Sequence, residues 1–349
     1  MIMYFLVCHA DPMHITIKII FLCIILFLSL VSSLQFGSTY IPLNQVFSSL
    51  GYHIGLETLK VPHMTDTILW DIRLPRLLYS IITGIGLSLV GLLMQTVTRN
   101  PLADPYILGV SSGASTGAVF AIIGGGLSFL GTYNTPFFAT LGAALSIIAV
   151  LLCVGKSSSP VKLVLIGMGM TGIFSSLTMM IIYGAKHEAQ VRSAMFWLLG
   201  SFAGIQWSDL PLSTCIVTLF ALFIYIYKQD LDLLLLGNQE ATNMGLSVKT
   251  LQLSIVISSS IVIATLVSKV GVVGFIGLII PHLARITGGP KHSHTLSFSI
   301  LIGSIVMIWA DVLSRFLYSP EEIPIGVRTS LLGAPLFIWI IMKRYQYNN

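Results

Sequence analysis

The sequence predicts an all-α polytopic membrane protein with about ten transmembrane helices, short loops, and short helices lying on one membrane face. Three observations carry this. Of 349 residues, 18 are Lys or Arg and 13 are Asp or Glu, so charged residues make up 9% of the chain, against roughly 25% in an ordinary soluble domain. Hydrophobic residues make up 55% and mean hydropathy is +0.91. The apolar residues gather in runs of about 20, the length a helix needs to cross a bilayer, and do not alternate as in the strands of a membrane barrel. So few charges cannot cover a soluble surface, which excludes a cytosolic enzyme, a nucleic-acid binder and a disordered chain. No segment is long and polar enough to be a soluble catalytic domain, so residues 1–349 read as one membrane domain. Cys8, Cys23, Cys153 and Cys215 form no CxxC pair, so neither a disulfide framework nor a zinc site is indicated.

Apolar length and helix breakers place the spans at about 15–36, 75–98, 105–126, 136–155, 161–184, 208–228, 252–269, 272–287, 295–317 and 325–343. The first run follows Lys18, is too long for a signal-peptide core, and lacks a small-x-small cleavage site. It reads as an uncleaved span behind a leader, residues 1–14, in which Met13 is the more conventional start. The second opens at Pro75, a residue suited to a first helical turn. The third carries Gly109, Gly113 and Gly117 at four-residue spacing, and the fifth carries Gly167, Gly169 and Gly172. Small residues let helices approach closely in lipid, where no hydrophobic drive holds them together, so both stripes read as packing faces.

The fourth span ends at Gly155-Lys156-Ser157, the tail of a phosphate loop. The glycine required five residues earlier is Val150, so no nucleotide site forms here and any ATP is bound by another chain. Segment 196–206 is too short to span and reads as re-entrant or interfacial. Segment 229–248 (QDLDLLLLGNQEATNMGLSV) is too polar to continue the sixth span, and Gly237 and Gly245 suit helix ends. It reads as two short surface helices whose leucines, Leu233 to Leu236, need a covering partner. In the eighth span Gly271, Gly274 and Gly277 permit close approach and Pro281 bends the helix. His282 reads as a packed histidine, and Arg285 suits a helix C-terminus. The loop with His292 and His294 reads as a solvated turn.

Gly109-Val110-Ser111-Ser112-Gly113 matches GxSxG, but a nucleophile elbow follows a strand, and here the context is a membrane helix. The histidines show no metal spacing, so no metal site and no cofactor is expected. The Lys/Arg rule with both termini cytoplasmic gives only a slight inner excess. Acids separate better, with Asp11, Asp104, Asp230, Asp232 and Glu240 inside and most others outside.

Four separated segments, WDIRLPR at 70–76, MQTVTRNPLADPYILG at 94–109, GVVGFIGLIIPHLAR at 271–285 and EIPIGVRTSLLGAPLF at 322–337, together with LLLLGNQEATNMGLSV at 233–248, resemble the permease subunit of type II ABC importers. That family takes up iron-siderophores, haem and vitamin B12. The resemblance covers essentially the whole chain beyond the first span. It implies a non-enzymatic subunit of the bacterial plasma (inner) membrane, surrounded by lipid. It also implies a homo- or heterodimer with a second permease subunit, a cytoplasmic ABC ATPase dimer, and an extracytoplasmic substrate-binding protein, with no nucleic acid. A ferric siderophore is the foremost cargo and haem the next, with vitamin B12 or another metal chelate as the alternative. An ion-coupled secondary transporter is the remote rival, because intramembrane acids and histidines form no relay.

The resemblance also assigns roles. Arg73, Arg76 and Arg315 match positions that dock acids of the binding protein; interfacial snorkelling or pairing with Asp71, Glu321 or Glu322 is the alternative. Asn100 and Leu102, in a turn interrupted by Pro101 and Pro105, match a cytoplasmic gate, with a purely structural turn as the alternative. Leu236, Gly237, Glu240, Ala241 and Gly245 fall in the element that couples to the ATPase. Gln95, Ser175 and Ser176 are pathway candidates. Arg328 departs from the family pattern, which has a small or apolar residue there. It reads either as a pathway cation attracting an anionic chelate or as a salt-bridge partner of Glu321 or Glu322.

Overall fold

The computed structural model describes residues 12–55, 61–155, 159–316 and 322–346. Residues 1–11 of the leader with Cys8, Lys156 and Ser157 of the phosphate-loop tail, and Glu321 lie outside the described residues. The architecture is helical throughout what is described. A first long helix, α1 (Pro12–Gln35), is followed by α2 (Leu43–His53) and α3 (His63–Thr67). One wide π turn (Ile68–Arg73) then runs straight into α4 (Leu74–Thr98). Next come α5 (Val110–Gly124), α6 (Asn134–Val154), α7 (Pro160–Tyr183), α8 (Glu188–Leu198) and α9 (Leu210–Ile226). Two short helices, α10 (Lys228–Leu236) and α11 (Asn238–Asn243), precede α12 (Val248–Val270), α13 (Ile276–Gly288), α14 (His292–Phe316) and α15 (Ile325–Gln346).

Every predicted span coincides with a helix, but not every helix is long enough to cross a bilayer unaided. Among the described residues seven are: Met13–Gln35, the continuous rod His63–Thr98, Phe129–Val154, Pro160–Tyr183, Trp207–Ile226, Val248–Val270 and His292–Phe316. Val110–Gly124, Ile276–Gly288 and Ile325–Trp339 are shorter, and two of them start later than the apolar runs do. Pro105–Leu108 forms a tight turn that Gly109 closes at φ +75, so α5 begins at Val110 rather than 105. Gly271 (φ +72) and Phe275 (φ +67) hold residues 271–275 out of helix, so α13 begins at Ile276 rather than 272. Apolar composition cannot distinguish helix from the extended backbone leading into it.

Helix α4 is the centre of the bundle, with Tyr79, Leu87, Leu89, Val90, Leu92, Leu93 and Met94 essentially inaccessible. It touches α13 and α14 through glycine. A β-carbon on Gly91 would land on the carbonyl of Gly277, and one on Gly84 on that of Gly303. The third-span stripe packs as predicted: Gly113 sits against Gly142 and Gly117 against Phe138 of α6. The fifth-span stripe divides. Gly167 lies under the carbonyl of Ile107, while Gly169 and Gly172 face open space.

Segment 196–206 is the end of α8 followed by non-helical chain. Its main chain bonds to neighbouring elements, with Ser201 N donating to Val270 O (2.9 Å), Ile325 N to Gly200 O (2.9 Å) and Gly326 N to Leu199 O (2.9 Å). Helix α2, which the apolar pattern does not reveal, is fixed to the π turn. The His53 ring stacks on Trp70 at 3.8 Å, and Ser49 Oγ and His53 Nε2 meet Asp66 at 2.6 and 3.1 Å.

Candidate functional site

Two clusters of polar side chains lie at opposite ends of α4. At its N-terminal end the four arginines read from the sequence are all buried, between 4 and 7% exposed. Arg73 is consumed by main chain: Nη1 donates to Leu34 O (2.5 Å) and Gln35 O (3.0 Å), and Nη2 donates to Thr39 O and Thr39 Oγ1. Arg76 Nε donates to Asp311 Oδ1 at 2.7 Å and Nη1 to both oxygens of Glu322 at 2.8 and 2.9 Å. Arg315 pairs with the other oxygen of Asp311 at 3.2 Å and donates to Ser33 O at 3.3 Å. Asp311, 1% exposed, thus bridges two arginines from different helices, as an intramembrane carboxylate must find partners.

Arg73, Arg76 and Arg315, read as docking cations or as members of internal pairs, all meet partners of this same chain. Their guanidinium groups are turned inward because a desolvated charge is costly unless paired, and the carboxylates and carbonyls that pair them belong to this same chain. The solvated member of the network is Glu322, whose side chain is 33% exposed. Arg328 is the exception. It is 5% exposed, yet among the described residues none of its three nitrogens has a hydrogen-bond partner. Among the described residues no ion pair joins it to Glu322, although Glu322 and Asp311 are within electrostatic reach.

At the other end of α4 the chain turns through Arg99, in the left-handed region at φ +49, into Asn100-Pro101-Leu102-Ala103-Asp104. The turn is built by short side chains bonding to main chain. Asn100 Oδ1 accepts from Leu102 N (3.0 Å) and Asp104 Oδ1 from Tyr106 N (2.8 Å). Asn100 and Leu102 are exposed and Ala103 is buried. Burial pushes the Asp104 carboxyl up to about 6, against the pull of the Tyr106 N–H.

Gln95 is engaged within the bundle. It is 2% exposed, its Nε2 donates to Leu278 O at 3.0 Å, and its Oε1 accepts from Arg285 Nη1. This buried amide ties α4 to α13. Ser175 and Ser176 are exposed on α7, on the side that also carries Gly169 and Gly172.

The polar segment 229–248 does form two short helices, α10 and α11. Leu236 (59% exposed), Glu240 and Gly245 are presented outward. Leu234 and Ala241 are fully buried, because they anchor the pair to the bundle. The reading of Leu233 to Leu236 as one exposed run is corrected accordingly: Leu234 is buried and Leu236 is exposed. Gly237 joins the helices at φ +134, and a β-carbon there would collide with the Glu240 carboxylate. A depression of about 480 Å³ opens beside them, lined by Thr242, Gly245, Leu246, Val248 and Thr250.

The solvated-turn reading of His292 is also corrected. It opens α14, is 1% exposed, and bonds Asp232 of α10 through Nδ1 (2.6 Å) and Thr96 of α4 through Nε2 (2.9 Å). No local pattern signals this, because its partners lie 60 and 196 residues away. Among the described residues no group of three or more His, Cys, Asp or Glu comes together as a metal site.

Comparison with known proteins agrees with this architecture. The model of the FecCD transport family matches residues 23–343. The iron(3+)-hydroxamate import system permease protein of Bacillus subtilis is 34% identical over 285 residues, covering 80% of this chain and 84% of that protein. The Fe(3+) dicitrate transport system permease protein of Escherichia coli is 34% identical over 276 residues, covering 79% and 85%. The vitamin B12 import system permease protein of Klebsiella pneumoniae is 31% identical over 322 residues, covering 92% of each. A solved inward-facing structure, assigned to an ABC transporter of metal-chelate type, superimposes with a TM-score of 0.82 at 32% identity. It covers 93% of this chain and 99% of that one.

Proposed function

The chain belongs to the FecCD transport family, and from that premise we propose that it forms the translocation pathway for an iron chelate, a ferric siderophore foremost and haem next. As a permease of this family it is a multi-pass inner-membrane protein and not an enzyme. It works with an ATPase and a second permease subunit to import metal chelates. Two relatives import iron chelates, as hydroxamate and as dicitrate, and others import cobalamin or vitamin B12, so the preference for iron rests on Arg328.

The observation that carries the cargo reading is Arg328. A buried cation without a hydrogen-bond partner among the described residues at the start of α15 is costly to keep, and an anionic ligand would satisfy it. On this reading the α10–α11 face is cytoplasmic, with Leu236, Gly237, Glu240 and Gly245 against the ATPase. The turn at Asn100 and Leu102 is the cytoplasmic gate. The Arg76–Asp311–Glu322 end faces the extracytoplasmic binding protein, and Ser175 and Ser176 line the pathway against the second subunit.

Uptake of radio-iron into vesicles holding the assembled transporter tests this. Ferric dicitrate, an anionic chelate, is compared with a neutral ferric trihydroxamate and with cobalamin. Arg328→Ala is expected to depress dicitrate uptake far more than trihydroxamate uptake. Equal effects on both would remove Arg328 as an anion-selective group, and uptake of cobalamin alone would overturn the iron reading.

A further inference from the structure

We propose that His292 is a positioning residue that transmits displacement of α10–α11 to the last turn of α4 and so to the turn at 99–104. The proposal rests on reading α10–α11 as the ATPase-facing element and Leu102 as part of the gate. His292 touches neither ATP nor cargo; it acts through Asp232 on one side and Thr96 on the other.

The geometry makes the three residues one mechanical unit. A single oxygen, Asp232 Oδ1, accepts from the main-chain N–H of His292 at 2.9 Å and from its Nδ1 at 2.6 Å. The first bond satisfies an N–H that the start of α14 would leave open, and the carboxylate also complements the positive end of that helix. Burial raises the Asp232 carboxyl, but its bonds to His292 and the charge of Lys291 outweigh this and hold it below the ordinary carboxylate range. When α10 moves, Asp232 therefore draws the ring and the helix end with it.

A carboxylate only accepts, so Nδ1 carries the proton of that bond. The other ring nitrogen, Nε2, meets the Thr96 hydroxyl at 2.9 Å, and that hydroxyl is also tied to Leu92 O of α4 at 2.9 Å. Thr96 is inaccessible and His292 nearly so, so water cannot replace a broken link, and leaving a buried donor or acceptor unpaired costs about 1–3 kcal/mol. The contact is either made or lost.

The receiving end is equally stiff. Thr96 lies three residues before Arg99, which ends α4 at φ +49. Its neighbour Gln95 is clamped by Leu278 and Arg285 of α13. The last turn of α4 is thus held between α13 and α14, and α10, which also packs on α4 directly, is hydrogen-bonded to it through His292 on the α14 side. A movement arriving through Asp232 and His292 reaches Asn100 and Leu102 without another flexible joint.

The test uses the assembled transporter, with its ATPase and second permease subunit, carrying Leu102→Cys after Cys8, Cys23, Cys153 and Cys215 are replaced by serine. The readout is the rate of labelling by a soluble maleimide with ADP·vanadate against the nucleotide-free state, measured beside ATP hydrolysis. In the parent and in Thr96→Ser, which keeps the hydroxyl, the two rates should differ by about fivefold or more, the lower range of coupling between sites. In Thr96→Val and Asp232→Ala the difference should collapse to less than about twofold while ATP hydrolysis stays within about twofold of the parent. Asp232→Asn, which keeps the accepting oxygen, should retain it.

A full nucleotide-dependent difference in Thr96→Val overturns the proposal. So does a parallel loss of labelling and hydrolysis in Thr96→Val and Thr96→Ser alike, since that marks a plain packing role. If the parent itself shows no nucleotide dependence at Leu102→Cys, the gate reading is what fails, and the relay falls with it.

Discussion

At the scale of single residues, the few buried charges among the described residues are partnered, Arg328 apart. Asp311 holds Arg76 at 2.7 Å and Arg315 at 3.2 Å, so removing one partner leaves a charge uncompensated. Breaking a buried pair from one side typically costs about 3–5 kcal/mol. Arg76→Gln is therefore expected to lower the thermal unfolding temperature in detergent sharply. Arg76→Gln with Asp311→Asn should lose less than the two single changes added together, and strict additivity would show that the pair is not coupled. Asp104 gives a pH prediction. Its folded value, raised to about 6 by burial, exceeds the ordinary carboxylate value near 3.9. Its contribution to stability is thus fully present below that ordinary value and is lost as pH rises through about 6. Asp104→Asn keeps the acceptor for Tyr106 N and removes the charge. It should raise the unfolding temperature by a few degrees at pH 7 and leave it unchanged at pH 4. A gain equal at both pH values would show that ionisation of Asp104 is not the cause. Asp311 and Arg315 stand four apart on one helix and Asp104 and Tyr106 two apart, but the partners of Arg76 are not local. Arg73 and Arg76 stand three apart and suggest a shared outward face, but Asp311 and Glu322 lie more than two hundred residues away and turn Arg76 inward.

At the scale of elements, the apolar helices were legible, because a span is a property of about 20 consecutive residues, although seven of the described helices, not ten, are long enough to cross unaided. Their ends were less so. Gly109 and Phe275 take positive φ and delay α5 and α13, and the π turn at Ile68–Arg73 lengthens the second span backwards. Hydropathy averages over such turns. The glycine stripes were legible as packing faces but not in which direction they point. Gly113 meets the main chain of Gly142 directly, so Gly113→Leu must push α5 from α6. Overpacking of this kind costs about 1–3 kcal/mol, and with backbone on the far side the upper end is expected, visible as a lower unfolding temperature and a reduced folded yield. A Gly113→Leu chain as stable as the parent would show that the helices separate freely.

At the scale of the whole molecule, the distribution of buried surface says which side of this chain awaits another. The 18-residue core of α7 is only 11% buried, against 78% for the rod containing α4. One long side of α7 carries Gly169, Gly172, Ser175 and Ser176 in the open. Small and hydroxylated residues suit helix–helix contact in lipid, and the importer requires a second permease subunit. The sequence showed the stripe, but a single chain cannot reveal that Gly167 faces inward while Gly169 and Gly172 face outward. That division needs the packing of Gly167 against Ile107. The prediction is therefore a reversal of the Gly113 result. Gly172→Leu has space around it within this chain, and surface substitutions away from packed features usually change stability by less than about 0.5 kcal/mol, so the isolated subunit should unfold at the parent temperature. Assembly should fail instead. Two permease chains bearing different tags and solubilised in mild detergent should co-purify for the parent and for Gly204→Leu, a change at another open glycine, but not for Gly172→Leu. Co-purification undiminished in Gly172→Leu would place the second subunit against a different face of the bundle, and the pathway assigned to Ser175 and Ser176 would move with it.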